Sequence, residues 1–203
     1  MNKTITVILI IVVAIILVIS VLAGTFISRY NRIRQMQVNI DQSWSEVENQ
    51  LMRRYDLIPN LVETVRGYAS HEQETFQAVT EARARVGGIV EISDDILEDP
   101  SAFQRYQQAQ NNLGGALQRL LMVTENYPEL KANQSFIRLQ DELAGTENRI
   151  AVARRRFNDT VAEYNRNIVV FPNNILAGFF NLTSAHFFEA PVESQERPTV
   201  DFR

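Results

Sequence analysis

Two patterns divide the chain. From Thr4 to Ser28 no position is charged, and most are Ile, Val or Leu. Beyond that run, apolar residues recur at alternating steps of three and four, as in helices that bury one face. Tyr30, Ile33, Gln37, Ile40, Trp44, Val47 and Leu51 form the first seam. No Gly or Pro occurs between Thr25 and Ile58, so the helix of the uncharged run is predicted to continue into this seam. Pro59 lacks a backbone donor and disfavours helix at Ile58; it either ends the first helix or kinks a longer one. Leu61, Val65, Tyr68, Phe76, Val79 and Val86 make a second stretch, with Gly87-Gly88 as its stop signal.

A short acidic connector runs from Glu91 to Asp99. Asp99-Pro100 reads as an N-cap followed by proline at the first helical position. The third seam is Phe103, Tyr106, Gln110, Leu113, Leu117, Leu120, Thr124 and Tyr127. Gly114-Gly115 lies inside it, at a cost of about 1 kcal/mol per Gly relative to Ala. Close packing against a neighbour is the favoured explanation, and a hinge the alternative. Pro128 is predicted to open a last helix reaching Phe171. Its seam holds Phe136, Leu139, Leu143, Thr146, Ile150, Ala153, Phe157, Thr160, Tyr164 and Ile168.

No alternating strand pattern occurs. The expected class is all-α: an N-terminal transmembrane helix followed by an elongated antiparallel up-and-down bundle of three to four long helices. The seams nominate Trp44, Leu51, Leu61, Phe76, Leu113, Leu117, Leu143, Ile150, Phe157 and Tyr164 as bundle core. The polar seam positions Gln37, Gln110, Thr146 and Thr160 set register or sit near an end.

A bilayer core needs about 20 apolar residues as helix, and residues 5–27 supply 23. A cleaved signal peptide is the rival, but its apolar region would run only about 7–15 residues. A retained anchor over residues 1–28 is therefore expected, then a helical domain over 29–190 and a disordered acidic tail over 191–203. Residues 5–27 should contact membrane lipid. Lys3 and the terminal amine oppose Arg29, Arg32 and Arg34, so the positive-inside rule leans towards a cytoplasmic domain at the cell membrane.

If each turn reverses direction, the last helix returns towards the bilayer. The chain there is rich in Phe: five of the eleven, Phe171, Phe179, Phe180, Phe187 and Phe188, fall within 18 residues. They are candidates for membrane or partner contact. The alternative is that these rings cap the open end of the bundle.

Composition narrows the chemistry. The chain has no Cys and a net charge of −4, which removes disulfide and zinc-thiolate frameworks. The two histidines, His71 and His186, match no metal-site spacing, and no phosphate-binding loop occurs. No catalytic residue and no cofactor is expected. Asp94, Asp95, Glu98 and Asp99 lack calcium-loop spacing and read as a solvated acidic loop. Arg154-Arg155-Arg156 is the densest basic run, but three consecutive helical residues fan over about 200°. No nucleic-acid partner is expected. Arg53 and Arg54 with Asp56 could clasp the chain around Pro59.

Longer motifs carry a resemblance. They are Asp41-Gln42-Ser43-Trp44-Ser45, Arg53-Arg54-Tyr55-Asp56-Leu57-Ile58-Pro59-Asn60-Leu61-Val62, Gly67-Tyr68-Ala69-Ser70-His71-Glu72 and Thr80-Glu81-Ala82-Arg83-Ala84. Later come Tyr127-Pro128-Glu129-Leu130-Lys131-Ala132-Asn133, Glu147-Asn148-Arg149-Ile150-Ala151, Tyr164-Asn165 and Phe171-Pro172. Over residues 28–190 the chain resembles the LemA family of bacterial membrane proteins. The resemblance implies an elongated helical bundle behind one membrane helix. It implies no reaction and no ligand, and it transfers no catalytic residue. One branch of that family is associated with building magnetosome membranes, but the chain lacks that branch's long insertions. The expected function is a non-enzymatic scaffold or adaptor, with an unidentified protein partner or self-association. The alternative is a lipid-surface or membrane-organising protein that uses the Phe-rich segment 171–188.

Overall fold

The computed structural model describes residues 3–92 and 96–189, and every regular element among them is a helix. The order is α1 (Lys3–Arg66), α2 (Gln73–Ile92), α3 (Pro100–Thr124), α4 (Pro128–Lys131), α5 (Gln134–Val169) and α6 (Asn173–Phe179). The expected all-α class holds. Asp94, Asp95 and the acidic tail lie outside the described residues. Contacts group the chain into two compact units, one of Met1–Gln42 with Thr160–Ser184, the other of Ser43–Asp159 with residues 185–189.

In the first unit, α1 begins as an apolar rod whose side chains from Val7 to Ile27 are exposed. It is long and apolar enough to cross a membrane, the one such helix among the described residues. Its hydroxyls suit lipid. Ser20 donates to the Ile16 carbonyl and Thr25 to the Leu22 carbonyl, each at 2.8 Å, so neither is left unpaired. Beyond the rod, Ile33, Met36 and Ile40 are buried together with Val161, Tyr164 and Ile168 of α5. Gln37 donates to the Tyr164 hydroxyl at 3.4 Å, and Tyr164 donates to the Thr183 carbonyl at 3.1 Å.

The second unit is a bundle of α2, α3 and the facing parts of α1 and α5. Pairings give the directions. Arg53 meets Glu142 and Glu46 meets Arg156, so α5 runs antiparallel to α1. Tyr55 meets Arg83 and Arg66 meets Phe76, so α2 does as well. Trp44 meets Phe103 and Arg54 meets Gln110, so α3 runs parallel to α1. The result is up-down-up-down. Of the nominated core residues, Tyr164 is buried in the first unit. Trp44, Leu51, Leu61, Phe76, Leu113, Leu117, Leu143, Ile150 and Phe157 are buried in the second.

Pro59 neither ends α1 nor leaves a free carbonyl. Its missing N–H strands the Tyr55 carbonyl one turn back. Arg83 Nε of α2 donates to that oxygen at 3.3 Å, and the Arg83 guanidinium lies 3.8 Å from the Tyr55 ring centroid. The expected clasp with Asp56 is replaced by pairs across the bundle, Arg53 to Glu142 at 2.8 Å and Arg54 to Glu147 at 3.0 Å.

Three further expectations are corrected. Gly87-Gly88 does not stop α2, which continues to Ile92. A Cβ on Gly87 would stand 3.1 Å from the Tyr55 hydroxyl, so this glycine serves close packing. Gly115 does not: a Cβ there meets nothing within 4 Å. Pro128 opens only the single turn α4. The long helix starts afresh because the Asn133 side chain caps it, accepting from Ser135 N at 2.8 Å and Phe136 N at 3.1 Å.

The Asp99 cap forms as expected. Its carboxylate accepts from Ser101 N at 2.8 Å, with Pro100 at the first helical position. The Ser101 hydroxyl and then its N–H hold the carboxyl below its usual pKa, with Arg105 adding a smaller pull. A lowered folded-state pKa means the cap stabilises above the unfolded value and its contribution disappears as pH falls through the folded one. Asp99→Ala should therefore lower the Tm at neutral pH, with the gap from the parent closing in acid. Asp99→Asn, which keeps an acceptor without a titration, should hold most of the parent Tm. Thermal melts from pH 7 downward check this.

Candidate functional site

Two places carry chemistry that the helices alone do not require. The first is in the first unit, where α5 ends. The chain turns at Phe171-Pro172 and forms α6, whose inner face buries Asn173, Leu176 and Ala177. Asn173 fixes the turn: its amide donates to the Asn167 side chain at 2.8 Å, and its oxygen accepts from Arg29 at 3.3 Å. The Phe180 ring lies 4.4 Å from that of Tyr30. Arg29 is the first charge after the uncharged run. The last turn of α5 and α6 are therefore held at the base of the apolar rod. A polar notch of about 450 Å³ opens there beside Arg29 and Arg32.

The outer face of this segment is apolar and uncovered. Phe171 is 75% exposed and Phe179 74%, with Val169, Val170 and Ile175 exposed beside them. Large apolar side chains left exposed together on one short segment are a candidate interaction surface. Phe171, Phe179 and Phe180 of the candidate five belong to this unit. Phe187 and Phe188 fall in the other. Phe187 is 42% exposed, whereas Phe188 is buried. Its ring stacks on Trp44 at 5.8 Å and meets Phe157 edge-on at 5.6 Å, and its backbone is clamped by Asn158. Phe188 is thus core of the second unit and unavailable to lipid, a correction to the candidate set.

The second place lies inside the second unit, one turn below that aromatic cluster along α3. Arg54 of α1 is nearly fully buried. Its Nη1 donates to Glu147 Oε1 at 3.0 Å, and its Nη2 to the Gln110 carbonyl at 3.3 Å and to the Gln110 side-chain oxygen. Arg154 of α5 stands near the same carboxylate, its guanidinium 4.8 Å from the Phe188 ring centroid. Burial, and then the Arg54 charge, push the Arg154 guanidinium below its ordinary pKa, with Glu147 pulling the other way. Glu147, whose side chain is 45% exposed, pairs with Arg54. The Nε atoms of both arginines are buried without a partner among the described residues, and each orphan donor costs about 1–3 kcal/mol.

The sequence had flagged Gln110 as a polar seam position and Arg53-Arg54 as a charged pair. It did not bring them together, and Arg154 was read only as one of three splayed arginines. The splay is real: Arg154 turns inward, while Arg156 reaches outward to Glu46 at 2.6 Å. Neither His71 nor His186 joins either place. Among the described residues no three metal-ligating side chains stand together.

An exposed apolar helix long enough to cross a membrane, in a chain whose described elements are all helices, defines an all-α membrane-associated protein. The comparisons narrow that class. A family model described as the LemA family matches residues 43–202, so the chain belongs to the LemA family. Magnetosome protein MamQ 1 of Paramagnetospirillum magneticum is 27% identical over 91% of this chain and 72% of its own length. Magnetosome protein MamQ of Magnetospirillum gryphiswaldense is 27% identical over 87% and 68%. Protein LemA of Metamycoplasma hominis is 25% identical over 92% and 80%.

The geometry predicts an asymmetry in the arginine centre. Glu147→Gln leaves two desolvated cations facing each other and should cost about 1–3 kcal/mol, discounted for the carboxylate's exposure. The double change Arg54→Met with Gln110→Leu removes donor and acceptor together. It should cost less, because the remaining carboxylate can be solvated. Urea unfolding of the three proteins measures the difference.

Proposed function

We propose that this protein is a membrane-tethered, non-enzymatic scaffold. It spans the bilayer once through residues 5–27 and presents its helical bundle to a protein partner or a second copy on the cytoplasmic side. The observation that carries this reading is α1 itself, one unbroken helix from Lys3 to Arg66 that is lipid-facing at one end and bundle core at the other. The arginines at positions 29, 32 and 34 support the cytoplasmic side. Family membership supports membrane association. The matched magnetosome proteins support membrane association as well.

The test is crosslinking in native membranes combined with protease accessibility in intact cells. A specific protein partner or an oligomer, with the bundle protected from external protease, is expected. Monomer alone under several crosslinkers, or digestion of the bundle from outside, would count against the reading.

A second reading is favoured by the exposed face of residues 169–179. In it, Phe171, Ile175 and Phe179 seat in the lipid interface while Arg29 and Arg32 meet headgroup phosphates. The chain has no Cys, so Phe179→Cys can carry a single environment-sensitive dye in the full-length protein. In proteoliposomes containing anionic lipid, the dye should be quenched by a lipid-borne nitroxide and shielded from iodide. Quenching by iodide alone would place this face in water.

A further inference from the structure

The arginine centre opens into a cleft of about 970 Å³ in the second unit. We propose that this cleft is a binding site for a small solute bearing an oxyanion, a carboxylate or a phosphate, with Arg54 and Arg154 at its inner end.

Charge is the first argument. Arg54, Arg85, Arg119 and Arg154 line the cleft against Glu81 and Glu147, an excess of positive charge in a chain whose net charge is −4. Such a concave basic site focuses potential on an anion. The second argument is unmet hydrogen bonding. The Arg54 and Arg154 Nε donors are buried with no acceptor among the described residues. Arg154 makes no ion pair among the described residues, whereas Arg54 pairs with the half-exposed Glu147. Guanidinium groups are suited to planar oxyanions, which they bind through paired, charge-assisted hydrogen bonds. The depressed pKa of Arg154 points the same way, since the charge of a bound anion offsets both the desolvation and the Arg54 repulsion that lower it.

The third argument is the glycine pair. Gly114 and Gly115 both line the cleft. A Cβ on Gly114 would reach only ordinary contact with Arg54 Nη1, at 3.9 Å, and one on Gly115 would meet nothing within 4 Å. Helix packing does not require glycine at position 115, and glycine weakens α3 there. What the missing side chain provides is room. The cleft falls within the roughly 300–1,000 Å³ typical of small-molecule sites, and its walls are polar, which suits a small anion better than an apolar ligand.

The test uses the full chain in detergent and follows Trp44, the single tryptophan, through thermal unfolding. The probes are citrate and pyrophosphate, each compared with chloride at equal ionic strength. One or both should raise the Tm above the chloride control, and which one does so separates the carboxylate source from the phosphate source. Gly115→Leu fills the cleft with a better helix former, so it should fold. Arg154→Gln removes the inner charge. Each should weaken binding about tenfold or more, the loss expected of a charge-assisted pair. No protection beyond chloride, or protection unchanged in the leucine variant, overturns the proposal. Should Arg154→Gln fail to fold, Gly115→Leu alone decides.

Discussion

The molecule depends on α1 not breaking at Pro59. One helix serves as the apolar rod and as a wall of the bundle, and a proline inside it strands a carbonyl. The protein supplies an outside donor: Arg83 of α2 reaches the Tyr55 oxygen and stacks on the Tyr55 ring. That contact fixes where α2 lies. It also suits Gly87, because a Cβ there would stand 3.1 Å from the Tyr55 hydroxyl and push it aside. Two motifs far apart in sequence, around Tyr55-Pro59 and around Arg83, are two sides of one joint.

From that joint the second unit is organised in levels. Trp44 gathers Phe103, Tyr106, Phe157 and Phe188 into a ring cluster of ordinary aromatic geometry. Phe188 arrives from a segment without helix, so the bundle is closed partly by extended chain tied to Asn158. Below the rings lies the arginine level. In the first unit the chain ends α5 and turns outward instead. Asn173 and Leu176 hold the turn, while Phe171 and Phe179 are left uncovered. The same residue type therefore does opposite work. Phe188 fills a core that Trp44 has already shaped, whereas Phe179, whose ring meets that of Phe180, is left 74% exposed.

What could be read from the sequence was set by local physics. Apolar period gave the buried face of every long helix, and Asp99-Pro100 gave a helix start, because both are decided within a turn or two of chain. The errors involve partners from elsewhere. Pro59 left two readings open, an end or a kink, because its rescuing donor sits on another helix. Gly87-Gly88 resembled a stop and Gly114-Gly115 resembled packing. The structure reverses the roles of Gly87 and Gly115, since only the neighbour across the bundle distinguishes a tight approach from an open cleft. Pro128 was taken as the start of the long helix when Asn133, five residues on, makes the better cap. Phe composition could not tell Phe188 from Phe179, because alternation and spacing are silent about a segment that packs as coil. Arg154 was hidden by its neighbours in the run, because their angular spread does not say which of the three faces the bundle.

A scaffold that needed only stability would have little use for the arginine level. Replacing a buried ion pair by apolar residues of similar size is often neutral or stabilising. Register is one reason to keep such a pair, and it accounts for Arg54, Glu147 and Gln110, whose matched contacts tie α1 to α5 and α3 at a single height. It does not account for Arg154, which makes no ion pair among the described residues, nor for Gly115, which keeps the space beside it open at the expense of helix stability. Those two features are unfavourable in a bundle that is complete by itself. They become favourable together once an anion occupies the cleft, and that shared condition separates a binding function from a purely architectural one.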